Sequence, residues 1–191
     1  MKSLLTLALL SLVIQLNAQT LHSDMPYRNI PNHPEVYSEG AIAARMIDGL
    51  GFRFYWATEG LTEADLNYKP SDGSRTTIET IQHIFDLTIL IRNTALQEIS
   101  VPPSNIEELD YVMLRQQTLQ HLKTTADILR TSPDLSKYPI KFINREMPFW
   151  FLINGPISDA IWHCGQIASF RRTTGNPIRS DISFFTGTVK N

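Results

Sequence analysis

Apolar side chains recur at steps of three or four from Ser38 onward, as Ile42, Met46, Leu50, Phe54 and Ala57, a spacing that predicts an amphipathic helix with one buried face. Gly60 offers its stop. The run from Asn67 to Ser74 is turn chemistry, with Pro70 and Gly73 setting the chain direction. A second helix is predicted from Thr76, because Thr76 and Glu79 have the spacing of a capping box that satisfies two orphan backbone donors, and it runs to about Ile99. Its apolar residues form two stripes, Ile78, Ile81, Phe85 and Ile89 on one side and Ile84, Leu87, Ile91 and Ala95 on another. Such a helix is buried on two sides, at the centre of the domain or in a dimer interface.

Pro102 and Pro103 close that segment, and Asn105 with Glu108 offers a cap for a third helix whose stripe is Leu109, Val112, Leu119, Leu122, Ala126 and Leu129, stopped by Pro133. Between Tyr138 and Asn154, Pro139 and Pro148 punctuate an aromatic run, Phe149, Trp150 and Phe151, and the segment reads as a crossover. The last helix is predicted to begin near Gly155, with Pro156 in the first position where a missing N–H costs nothing, and to end at Gly175, Asn176 and Pro177. Four long helices and one long connection predict an all-α four-helix bundle over residues 38–180, followed by a tail at 181–191.

The first 37 residues show another pattern. Lys2, an uncharged apolar stretch from Leu4 to Leu16 and the small residue Ala18 have the layout of an export signal over 1–18, cut before Gln19. Roughly 13 apolar-rich residues fall short of the ~20 that cross a hydrocarbon core, so no membrane anchor is expected after cleavage. Pro26, Pro31 and Pro34 then break any regular element, which predicts an extended leader over 19–37 wrapping the domain. The expected protein is therefore periplasmic or secreted.

Composition narrows the chemistry. The chain carries 17 basic and 19 acidic residues. Loss of Lys2 with the signal moves the net charge to about −3. A surface for duplex nucleic acid needs a basic excess, which this composition lacks. Cys164 is the single cysteine, so no disulfide can form within one chain and packing or a metal must hold the fold.

Asp159 and His163 stand four apart on the last predicted helix, so both project from one face about a turn apart. That spacing suits two ligands on one ion, though by itself it is more often an ordinary surface pair. His83, between the apolar neighbours Ile81, Ile84 and Phe85, is the candidate third ligand or else a hydrogen-bonded core histidine. Gln166, one turn beyond His163, can hydrogen-bond a ligand or a bound water from the outer sphere. Arg171 and Arg172 near the helix end either meet an anionic substrate or complement the helix dipole. Cys164 points about 100° away from His163 and reads as a small core residue. His22, His33 and His121 fall in the leader or on a polar face and read as solvated.

The segment SDAIWHCGQIASFRRTTGNPI, from Ser158 to Ile178, resembles the last helix of the DinB-like (DinB/YfiT) metal-binding family, whose hallmark there is His-x-x-x-His followed by x-Gly-Gln. LTEADLNYKPSDGSRTTIETIQHI, from Leu61 to Ile84, resembles that family's first loop and second helix, where a single histidine faces the metal. The resemblance implies His83 and His163 as ligands, with Asp159 standing where the family has its other histidine. A two-histidine, one-carboxylate site suits zinc, nickel, Fe(II) or manganese alike. It further implies a homodimer and a metal-dependent hydrolase or transferase acting on a small molecule, similar proteins including thiol transferases and an isomerase. The alternative is a non-catalytic envelope protein that binds a ligand or partner, its metal site structural or vestigial. No Ser-His-acid arrangement or phosphate-cradling glycine loop competes.

Overall fold

The structure, a computed structural model, describes residues 25–102 and 109–190. The expected export signal over 1–18 and the expected cap at Asn105 and Glu108 lie outside the described residues. Four long helices dominate: α1 (Glu39–Thr58), α3 (Thr77–Leu96), α4 (Tyr111–Arg130) and α5 (150–173), with the short α2 (Glu63–Asn67) between the first two. α1 packs against α4 and α5, and α3 packs against the same two, so the four close around one apolar core. Two small antiparallel hairpins complete the chain, β1 (Ile140–Phe142) with β2 (Arg145–Met147), and β3 (Ile182–Ser183) with β4 (Thr188–Val189). Among the described residues no helix is long and apolar enough to cross a membrane.

Local chemistry sets the helix ends. The Ser38 hydroxyl accepts from the Ala41 amide and opens α1. Its buried residues are not a single stripe: Ile42 is exposed and Met46 half-buried, while Ala43, Ala44, Ile47, Phe52 and Trp56 are buried beside Leu50, Phe54 and Ala57. The cause is cover from a further side, where residues 25–31 lie along α1. The Tyr27 ring fills the space where any side chain at Gly51 would stand, Trp56 donates its indole N–H to the Arg28 carbonyl at 3.2 Å, and Arg45 donates to the Pro31 carbonyl at 2.7 Å.

Thr76 and Glu79 form the capping box that opens α3, with Glu79 Oε2 2.7 Å from the Thr76 amide nitrogen. α3 ends earlier than Ile99, because Gln97 takes the left-handed conformation (φ 61°) and turns its N–H back to the Asn93 and Thr94 carbonyls. Ile99 is then free to bridge to Lys141 beside β1. α4 takes its cap from Asp110, whose Oδ1 accepts from the Met113 amide at 2.8 Å. Its buried stripe therefore starts at Leu114 and leaves Val112 exposed.

The expected crossover holds β1 and β2, and the last helix begins before Gly155. α5 opens at Trp150–Leu152, passes through a π-turn at Ile153–Ile157 and continues as regular helix over Ser158–Thr173. Pro156 thus lies inside a helix instead of at its first position. Lacking an N–H, it cannot bond the carbonyl four residues back, and widening of that turn absorbs the defect. The Ser158 hydroxyl reaches the Ile153 carbonyl at 2.7 Å and satisfies an acceptor loosened there.

Candidate metal centre

The π-turn stands immediately before the residues that matter most. An extra residue in one turn rotates the later part of the helix by roughly 100° against the earlier part, so the proline defect helps decide which way Asp159 and His163 face. They face α3. His83 Nε2 lies 3.1 Å from Asp159 Oδ2, and His163 Nε2 lies 3.3 Å from Asp159 Oδ1, so one carboxylate spans two imidazoles. The two rings stand nearly perpendicular, at 89°, with centroids 4.7 Å apart. One ligand atom from each of the three residues falls within 4.8 Å of the others.

These residues fit a divalent ion. Two ligands at bond lengths of about 2.0–2.1 Å around a tetrahedral ion stand about 3.4 Å apart, close to the two carboxylate–imidazole separations. The outer hydrogen bonds agree. Gln166 Oε1 lies 2.7 Å from His163 Nδ1. An amide oxygen only accepts, so Nδ1 carries a proton, and Nε2 is the ring nitrogen that faces the cluster and would give its lone pair to an ion bound there. The side chains of His163, His83 and Asp159 are 13%, 25% and 42% exposed, so water can reach the cluster from the Asp159 side.

Asp86, one turn beyond His83 on α3, is not marked by the hydrophobic pattern or the resemblance. Its Oδ1 is sealed from solvent and has no hydrogen-bond partner among the described residues. Burial pushes the pKa of this carboxyl above the ordinary aspartate value, and the His83 charge opposes that rise. The signal that could have found it is spacing, since Asp86 stands three positions after His83, as Gln166 stands after His163.

Other candidates fall elsewhere. Arg171 does not wait for an anion: it is buried, with Nε donating to the Asn176 carbonyl at 2.6 Å, Nη1 to the carbonyls of Trp56 and Ala57, and Nη2 to Asn176 Oδ1. It locks the ends of α1 and α5 together. His121 is not solvated; it is buried on α4, stacked on Phe85, with Nδ1 3.2 Å from the Thr88 hydroxyl and Nε2 3.0 Å from Arg92 Nη1. His33 is exposed, and His22 lies outside the described residues. Cys164 is buried, and burial pushes its thiol up to about 12 against the lowering effect of Arg53, so it stays protonated and packs as a small apolar group. A cavity of about 790 Å³ lined by Ile42, Met46, Met147, Phe149, Trp150 and Ile153, among others, includes none of the three clustered residues.

Comparison with protein-family models, with curated proteins and with solved structures returns no match for this chain.

Proposed function

We propose that this protein binds one divalent ion through His83, Asp159 and His163 and uses it as a metal-dependent hydrolase or transferase, in a DinB/YfiT-like four-helix bundle exported from the cytoplasm. The observation that carries the reading is the convergence of one carboxylate and two imidazoles from α3 and α5, with His163 Nδ1 held by Gln166 so that Nε2 faces the cluster. Zinc, nickel, iron and manganese all accept this ligand set. Three protein ligands leave coordination positions for water, whose pKa a bound ion lowers toward neutrality, and that supplies a nucleophile for a small electrophilic substrate.

The chain's own groups do the rest. Asp159 holds both imidazoles in register, Gln166 fixes the His163 ring, and the exposed edge of Asp159 leaves a path for substrate. That open side favours catalysis over a purely structural ion, which closes its shell with four protein ligands. A homodimer belongs to the same proposal, with the exposed side chains of Trp150 and Trp162 on α5 as candidate contact residues.

Metal analysis of protein purified without a nickel column tests the ligand set. About one equivalent per chain is expected in the wild type, falling to background in Asp159→Ala and His163→Ala. Unchanged metal content in both variants would exclude these residues as ligands.

A further inference from the structure

Gln166 and Asp86 occupy equivalent places around two different histidines. Each stands three positions after its histidine on one helix, where side chains are neighbours on the surface of the helix. Helical side chains lean toward the N-terminus, so the residue three positions on covers the turn that carries the histidine. On α5 this arrangement is closed, with Gln166 Oε1 2.7 Å from His163 Nδ1. On α3 it is open. Asp86 Oδ1 is buried without a donor, and among the described residues no hydrogen bond is made by His83 Nδ1, while its Nε2 is engaged with Asp159.

A buried carboxylate oxygen with no partner is rare in native structures, and each instance calls for a missing donor. The charged group that bears on Asp86 is His83. The donor becomes available when Nε2 of His83 commits its lone pair to an ion, because the imidazole proton then resides on Nδ1 and needs an acceptor. Asp86, three positions after His83 on the same helix, is the acceptor that spacing offers it.

We propose that Asp86 is a positioning residue of the metal centre, accepting the Nδ1–H of His83 in the metal-bound protein as Gln166 accepts that of His163. This role rests on metal binding by His83, Asp159 and His163. The two supports are chemically unequal. An anionic acceptor makes its imidazole the more basic ligand, so His83 binds the ion more strongly than its counterpart on α5.

Zinc(II) affinity measured against a competing chelator, on the full chain, tests this without reference to any activity. Asp86→Ala is expected to weaken binding about 10- to 100-fold, and Asp86→Asn, which keeps a neutral acceptor in the same shape, to weaken it less. In the zinc-loaded wild type, nitrogen-15 spectra should show the His83 Nδ1–H protected from exchange, and Asp86→Ala should remove that protection. Affinity within about twofold of wild type in Asp86→Ala, with binding abolished in Asp159→Ala, overturns the role of Asp86 and leaves the metal centre standing. Weakened binding with an unchanged His83 Nδ1–H signal overturns it too, because the loss is then structural. Should Asp86→Ala not fold, Asp86→Asn decides by the same two readouts. A wild type that binds no zinc removes both proposals together.

Discussion

Buried against Phe85 and hydrogen-bonded by Thr88 and Arg92, His121 is held neutral: burial, then the Arg92 charge, bring its pKa down to about 4. The unfolded chain takes up this proton near the ordinary value of about 6.5, so between those two values the unfolded state binds more protons than the folded one. The resulting stability is complete above about pH 6.5 and is lost as pH falls to about 4, with a slope of at most about 1.4 kcal/mol per pH unit. Urea unfolding at several pH values through this window should therefore be less pH-dependent in His121→Gln than in the wild type. Equal slopes would show that His121 carries no linked proton. Periodicity on α4 alone puts His121 on the polar side because its partners, Thr88 and Arg92, lie on α3, about thirty residues earlier. Arg171 eluded the pattern for the same reason: the Trp56 and Ala57 carbonyls that hold it are on α1.

At the scale of elements, what is legible is what a few neighbouring residues decide by themselves. The Thr76 and Glu79 box marks the start of α3 because both partners lie within one turn. Thr76→Ala should cost about 1 kcal/mol in urea unfolding, with the cooperativity of the transition unchanged. No loss would show that tertiary packing alone fixes the start of α3. The start of α5 is not legible in this way. A proline after a glycine is the ordinary sign of a first helical turn, and only packing of Leu152 and Ile157 into the core carries the helix back through the proline to Trp150. Likewise Ile42 belongs to an apolar period on α1 but faces the cavity, since the period fixes an angle around the helix and not which neighbours cover it.

At the scale of the molecule, two of the three clustered residues are local in sequence and the third is not. Asp159 and His163 are tied by helical spacing, whereas His83 is 76 positions from Asp159 and meets it only because α3 and α5 pack side by side. Spacing alone leaves His83 a core histidine or a ligand, and the ligand reading comes from a resemblance in the sequence rather than from the spacing. The outer support from Gln166 is legible from its place one turn past His163, while that of Asp86 shows only as a buried oxygen without a donor. The central claim is therefore a single point in space shared by two helices. Anomalous diffraction from crystals grown with the protein's own metal tests it most directly. One peak is expected about 2.0–2.2 Å from His83 Nε2, His163 Nε2 and an Asp159 carboxylate oxygen. Crystals of metal-containing protein with anomalous density elsewhere, and none between these three side chains, would contradict the account.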